Sequence, residues 1–348
     1  MRNDFLISVV VPVYKEEGNI VPFLERCIKV MEENDYRYEI IFCLDPSPDR
    51  SFEVICENIR KNNHIRLIQF SRRFGQPSAT YAGICMCRGD VCIITDVDLQ
   101  DPPELMKEMV DRWQKNGSNV VYAQRKTRAG ETLIKKIVAR SGYALINRMG
   151  DVDIPVNTGD FRLIDRTVIE ELKKSREHHG FLRGMVAFVG FKQEAILYDR
   201  DARYSGAGNY NRFFGSLRIG LNGLICYSTK PLEFVTVFGG IFFGVGGLFL
   251  LYYIVQSILH LCGIFIPHVP ITVVLLLLLG GINFLFIGLL GEYIGRIYEE
   301  VRERPRYIVE RMVDADNVND QLGDCETGLV FDVQKRQTPD FVGDKQEK

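Results

Sequence analysis

The sequence predicts an α/β protein: a doubly wound, mostly parallel sheet, followed by interfacial helices and two membrane-spanning helices. Three observations carry this. Short β-branched runs alternate with helical apolar patterns from Phe5 to Asp96, polar and acidic residues gather just after those runs, and apolar residues are dense only between Leu232 and Tyr293.

The first run, Phe5 to Val11 (FLISVVV), ends in Pro12. It reads as a parallel strand, because a strand covered on both faces is apolar without alternation. From Asn19 to Asn34 the apolar Ile20, Phe23, Leu24, Cys27 and Val30 recur at helical spacing. Strand Glu39–Leu44, helix Ser51–Asn62, strand Ile65–Phe70, helix Ser78–Met86 and strand Val91–Asp96 follow. Open α/β sheets bind ligands beyond the carboxyl ends of their strands. Chemistry is therefore expected in Pro12-Val13-Tyr14-Lys15-Glu16, at Asp45, in Ser71-Arg72-Arg73-Phe74-Gly75, and in Asp96-Val97-Asp98-Leu99-Gln100.

Leu232–Ile258 and Ile271–Ile294 each exceed the roughly 20 apolar residues that cross a bilayer. The connector between them has no Lys or Arg, whereas Lys230 precedes the first span and Arg296, Arg302, Arg304 and Arg306 follow the second. The positive-inside rule then places both chain ends in the cytoplasm. Arg212–Thr229 mixes aromatic and aliphatic residues with Arg212 and Arg218, as an interfacial helix does. The expected organisation is a cytosolic α/β domain over 1–205, interfacial helices over 206–229, membrane helices over 230–258 and 271–295 around an outer loop at 259–270, and a cytoplasmic tail over 296–348. Little fixed structure is expected after about Met312, where the chain turns acidic and polar. A buried helical hairpin is the alternative to the two spans. Small residues at Gly239-Gly240 and Gly244-Val245-Gly246-Gly247 permit close helix packing and hence a homo-oligomer.

Composition excludes other classes. With 43 Lys+Arg against 45 Asp+Glu, the net charge of −2 argues against a nucleic-acid binder held by a global basic field. No signal peptide is expected from the polar start at Met1–Asp4. The 9 cysteines read as reduced thiols, and Cys85, Cys87 and Cys92 lack the second pair or nearby His of a zinc site. Asn283 and Glu292 are the clearly polar groups deep in the spans, too few for an ion path.

The sharpest chemical signal is Thr95-Asp96-Val97-Asp98. Carboxylates at i and i+2 of an extended segment share one side and can converge on a hard divalent cation completed by phosphate oxygens. Such a cation screens a diphosphate and stabilises it as a leaving group.

The set VVVPVYKEEGNI, LDPSPD, SRRFGQ, DVDLQDPPE and TGDFRL resembles glycosyltransferase family 2. It is most similar to the membrane-attached polyprenyl-phosphate glycosyltransferases, which include dolichyl-phosphate mannose synthase and the bactoprenol glucosyltransferases of O-antigen modification. LLGEYIGRIYEEVRERPRY is similar to the end of the bacterial subgroup's second membrane helix. The resemblance implies a nucleotide-sugar-binding GT-A fold. It also implies inverting transfer of a hexose, glucose first, from a UDP-sugar to undecaprenyl phosphate at the cytoplasmic face of the bacterial inner (plasma) membrane, with Mg²⁺ or Mn²⁺.

Roles follow residue by residue. Pro12, Tyr14, Glu16 and Asp45 would line the nucleoside pocket. Asp96 would hold ribose or metal, and Asp98 with Gln100 would complete the metal–diphosphate grip. Asp160 takes the acceptor-side acidic position, and Arg125 and Arg128 could reach phosphates of donor or acceptor. A lipid phosphate is anionic at neutral pH, so it needs docking charge and an oriented anomeric carbon rather than a strong base. Arg forks suit phosphate oxygens. Arg200 and Arg203, just before the interfacial segment, are therefore assigned to the acceptor phosphate. The chain departs from the family pattern at Leu44, Pro46, Asn157 and Asn209, the last replacing a usual Lys. Two of these, Leu44 and Asn209, favour the alternative of a catalytically silent membrane subunit that binds lipid phosphate or scaffolds a glycan-assembly partner; the Asp96, Asp98 and Gln100 set opposes it. A processive polymer synthase is disfavoured, since no Gln-x-x-Arg-Trp motif occurs and the single Trp is Trp113.

Overall fold

The computed structural model describes residues 4–126, 158–175, 182–201, 204 and 271–319, with helical positions scattered between 235 and 261. The first half alternates as the hydrophobic pattern dictates. It runs β1 (Leu6–Val13), α1 (Glu17–Glu33), β2 (Arg37–Leu44), α2 (Ser51–Ile59), β3 (Ile65–Phe70), α3 (Gln76–Met86) and β4 (Val91–Ile94). After it come α4 (Leu105–Asn116), β5 (Val120–Arg125), β6 (Thr158–Asp165), α5 (Arg166–Lys174), α6 (Leu182–Val189), β7 (Gln193–Tyr198), α7 (Ile271–Val301) and β8 (Val309–Val313).

The strands form one sheet in the order β7-β5-β6-β4-β1-β2-β3-β8. β1 pairs in parallel with β2 and β4, β2 with β3, and β5 with β7. β6 runs antiparallel between β4 and β5, and β8 antiparallel along β3. The sheet is therefore mostly parallel, as expected: six of its eight strands run one way, and β6 and β8 oppose them. Strands β1 to β4 are mainly apolar, with Ser8, Glu39 and Arg66 near the start of three of them, whereas β6 carries Asp160 and Arg162 and β8 alternates as VERMV.

Helices cover both faces. α1, α2 and α4 pack Ile20, Phe23, Ile55, Met106 and Val110 onto one, and α3, α5 and α6 pack Ala79, Ala82, Ile169, Leu172 and Met185 onto the other. α3 lies close to the sheet because Gly83 has no Cβ; one there would sit inside van der Waals contact of Val10 and 2.9 Å from Cys43 Sγ. Gly83→Ala is expected to destabilise the domain by about 1–3 kcal/mol through overpacking. A urea titration reads this as a lower midpoint, and an unchanged midpoint would contradict the packing described.

At the far ends of the strands a buried ion pair ties three strands together. Glu39 accepts from Arg66 Nη1 at 2.7 Å, from Ser8 Oγ at 2.6 Å and from the Arg88 backbone N–H at 2.7 Å.

β8 comes from the segment expected to be a tail. Val313 and Val318 enter the core, so fixed structure continues past Met312 to 319. This corrects the expectation of little structure for residues 313–319; residues 320–348 lie outside the described residues. The alternation of VERMV supplies one buried face, and pairing with β3 covers an otherwise open sheet edge. Just before it, Tyr307 lies 5.9 Å from Phe70, and the Arg306 guanidinium stacks 4.0 Å over Tyr81. The exit of α7 is thereby fixed to α3.

α7 overlaps the second expected span. Its side chains at 271, 273–275, 277, 278 and 285 lie outside the described residues, as do 205–234, 262–270 and much of 235–261. Among the described residues no helix is long and apolar enough to cross a membrane. Cys27, Cys43, Cys56, Cys85, Cys87 and Cys92 are free thiols.

Candidate active site

The carboxyl ends of β1 to β4 bring their following loops to one edge of the sheet. Parallel register keeps them together: the Asp45 N–H donates to Val13 O at 3.1 Å, and the Thr95 N–H to Val10 O at 3.1 Å. Two non-glycine residues in the left-handed region, Lys15 at φ 58° and Leu99 at φ 59°, sit in the first and last of these loops. Such strain collects where a loop must present particular groups.

The residues expected to line a nucleoside pocket take distinct positions. Pro12 is buried within β1. Tyr14 is stacked by the Arg73 guanidinium, 4.0 Å over its ring. Glu16 accepts from Asn19 Nδ2 at 2.5 Å and so binds back onto α1. Asp45 is 2% exposed, and its two oxygens accept from the Phe74 and Gly75 backbone N–H groups at 3.0 and 2.8 Å. Gly75 has φ 90°, which opens α3 directly behind this clamp. Asp45 thus shapes the SRRFG loop, with one lone pair per oxygen already spent. Asp45→Ala is expected to loosen that loop at a cost of about 1–3 kcal/mol, since two part-buried N–H groups lose their acceptor; an unchanged urea midpoint would contradict this.

Beyond β4 the acids converge. Burial, then the charges of Asp101, Asp160 and Asp98, push the Asp96 carboxyl up to about 8, with Arg200 opposing. Gln76 Nε2 donates to Asp96 Oδ1 at 2.8 Å. Asp98 is 8% exposed, and its Oδ1 accepts from the Gln100 N–H at 3.1 Å. On β6, Asp160 accepts from Arg183 Nε at 2.9 Å. Burial alone would raise the Asp160 carboxyl, but Arg183, with Arg162 and Arg125, holds it below its ordinary value. Arg162 is pushed down to about 10, mainly by burial, and donates from Nη2 to Gly159 O at 3.0 Å.

The segment after β7 is stitched onto this acid loop. The Asp201 N–H donates to Gln100 O at 3.1 Å and the Tyr204 N–H to Asp98 O at 3.4 Å. Arg200 Nε lies 3.6 Å from Asp101 Oδ1. The Tyr198 hydroxyl donates to the same oxygen and accepts from Arg125 Nε at 3.4 Å.

The structure therefore brings Asp96, Asp98, Gln100, Asp160, Arg200 and Arg125 to one region, with Tyr14 and Asp45 on neighbouring loops. Arg128 and Arg203 lie outside the described residues, as do Asn157 and Asn209. Sequence reasoning missed Asp101, Tyr198, Gln76 and Arg183. Asp101 stands inside the DVDLQDPPE motif and Tyr198 two residues before Arg200, so both were within reach; Arg183 on α6 carried no signal.

Oxygen donors crowded under mutual repulsion suit a hard divalent cation, which relieves the repulsion. Asp96 and Asp98 carry carboxylate oxygens into this cluster, near Gln100 in the chain. Among the described residues no group of three or more His, Cys, Asp or Glu side chains is gathered as a ready-made cage. Sites that share their shell with substrate phosphates and water need only one or two carboxylates.

The profile of Glycosyl transferase family 2 matches residues 8–173, from β1 into α5. The uncharacterized glycosyltransferase YkcC of Bacillus subtilis (strain 168) is 42% identical over 317 residues, covering 91% of this chain and 97% of that protein. The prophage bactoprenol glucosyl transferase homolog of Escherichia coli (strain K12) is 34% identical, covering 88% of this chain and 99% of that protein. The bactoprenol glucosyl transferase of Shigella phage SfII is also 34% identical, over 88% of this chain and 97% of that protein.

Proposed function

The chain belongs to glycosyl transferase family 2 and is a glycosyltransferase, and from that membership we propose that it moves glucose from UDP-glucose to undecaprenyl phosphate, inverting the anomeric centre. The observation that carries this reading is the stitching of the Arg200 segment onto the Asp96–Asp101 loop. A glycosyl transfer to a phosphate needs donor-side acids and acceptor-side cations within one cleft, and a silent scaffold needs neither. The names of the bactoprenol glucosyl transferases support the sugar and the lipid class.

The chain's own residues divide the work. A divalent cation held by Asp96, Asp98 and Gln100 would screen the donor diphosphate and stabilise it as it leaves. Asp45 holds the SRRFG loop beside Tyr14, at the edge proposed for the nucleoside. Arg200 supplies planar donors for the acceptor phosphate, whose oxygen is already a competent nucleophile. Asp160, kept ionised by Arg183, balances the cationic side and orients it. Direct displacement by the phosphate oxygen on the face opposite the diphosphate inverts the configuration.

We also place the protein in the bacterial inner membrane, with the α/β domain on the cytoplasmic side. Large apolar side chains on α7 stand in the open, including Leu276 at 70% and Phe284 at 77% exposure, as do Leu248 at 69% and Leu261 at 88%. Exposed apolar surface of this extent calls for a lipid or protein cover. The Arg-rich stretch that follows α7 supports the cytoplasmic assignment.

The test is a donor panel. Membranes containing the full chain, supplied with undecaprenyl phosphate and each common nucleotide sugar, are expected to form a hexosyl lipid by mass spectrometry with UDP-glucose. A lipid product from another donor instead would overturn the sugar assignment, and none from any donor would overturn the enzyme reading. Arg200→Ala is expected to raise the acceptor KM at least about tenfold, the scale of one lost charge-assisted contact. Donor KM is expected to stay within twofold; equal rises would argue against its placement.

A further inference from the structure

We propose that Asp101 is a positioning residue that locks the acceptor-binding Arg200 to the donor-binding loop. The inference rests on the functional reading above and adds to it a residue to which that reading gives no part. Asp101 is 2% exposed. Its Oδ1 receives both the Tyr198 hydroxyl and the Arg200 guanidinium, Nε at 3.6 Å. Its Oδ2 faces β6, where a Cβ built on Gly159 would stand 3.9 Å from it and 3.4 Å from Arg125 Nη2. Three separate chain segments thus meet around one carboxylate: the acid loop, the end of β7, and β6 with its neighbour β5.

Charge and geometry define what it does. A buried carboxylate needs a cationic partner or its desolvation is uncompensated, and Arg200 is that partner. The ion pair lies on the Nε side of the guanidinium and biases its orientation, which leaves the two Nη groups to make a forked pair with a phosphate. The backbone bonds Asp201 N–H to Gln100 O and Tyr204 N–H to Asp98 O fix the translation of the same segment along the acid loop. Asp101 adds the rotational constraint. With Oδ1 shared between Tyr198 and Arg200, it acts through Arg200 rather than on the donor diphosphate, unlike Asp96 and Asp98.

Asp101→Asn keeps size and an acceptor for Tyr198 but removes the charge that holds Arg200. Equilibrium binding of UDP and of a short-chain polyprenyl phosphate to the detergent-solubilised full chain separates the alternatives. Asp101→Asn is expected to weaken polyprenyl phosphate binding about five- to tenfold while leaving UDP affinity, and the Mn²⁺ concentration that supports it, within twofold. Tyr198→Phe, which removes the other donor on Oδ1 and leaves the Asp101 charge in place, is expected to act in the same direction with a smaller loss. Asp101→Glu should restore part of the acceptor affinity. Equal weakening of UDP and lipid phosphate, or a raised Mn²⁺ requirement, would make Asp101 a donor-site residue and overturn the inference, and so would unchanged lipid binding in both variants. Failure of the wild-type chain to bind polyprenyl phosphate at all would instead overturn the functional reading on which it rests.

Discussion

Asp98→Asn is expected to lower cation-dependent hexose transfer by about 10²–10³-fold, the cost of losing one preorganised charge from a site that stabilises a leaving group. The replacement is nearly isosteric. Asn keeps a side-chain oxygen to accept from the Gln100 N–H, the 3.1 Å bond that shapes the loop, so the fold around it should persist. What is lost is a full negative charge within a cluster that includes Asp96, Asp101 and Asp160. A cation titration of the rate separates the effects: the variant should need more Mg²⁺ or Mn²⁺ and still saturate low. Transfer near the wild-type rate at ordinary cation concentration would remove Asp98 from the metal-binding role. Insertion into membranes is expected to be unaffected.

Glu39→Ala is expected to cost about 3–5 kcal/mol of domain stability, because it leaves Arg66 charged and buried without its partner. Glu39 and Arg66 are 6% and 8% exposed, and Glu39 also satisfies Ser8 and the Arg88 N–H. The loss is a large part of the roughly 5–15 kcal/mol that holds a domain together. Urea unfolding followed by circular dichroism measures it. Replacing both partners, Glu39→Met with Arg66→Leu, should recover much of the loss, since an apolar pair removes the desolvation problem. A single-variant cost below about 1 kcal/mol would show that water reaches the pair. The network lies at the opposite ends of the strands from the acids, so residual folded protein should keep its KM values.

Strands β1 to β4 were legible because each is a mainly apolar run, and the helices between them because each carries an apolar stripe. β3 falls on its expected bounds, Ile65–Phe70. α3 begins earlier than expected, at Gln76, since Gly75 turns the chain and Pro77 suits a first helical turn. β4 stops at Ile94, before Thr95 and Asp96 leave the ladder to form the site. None of β5 to β8 was read from the sequence: they carry polar residues along their length, such as Asp160 and Arg162 in β6 and Glu310 and Arg311 in β8, and antiparallel pairing tolerates such a polar face. In the site, the strand-end rule located Asp45, Asp96 and Asp98. Spacing could not reveal that Asp45 clamps Phe74 and Gly75, or that Tyr198 reaches Asp101 across 97 positions. Such contacts depend on the register of distant strands, which local pattern does not encode.

The central claim is that the acid loop and the arginine segment form one cation-assisted site that hands glucose to a lipid phosphate. Purified full-length protein given labelled UDP-glucose and undecaprenyl phosphate tests it most directly, with the label followed into the organic phase before and after chelation. The account predicts lipid-extractable label that falls to background with chelator and returns when Mg²⁺ or Mn²⁺ is restored. Label found only as free glucose, or lipid label indifferent to chelator, would contradict it.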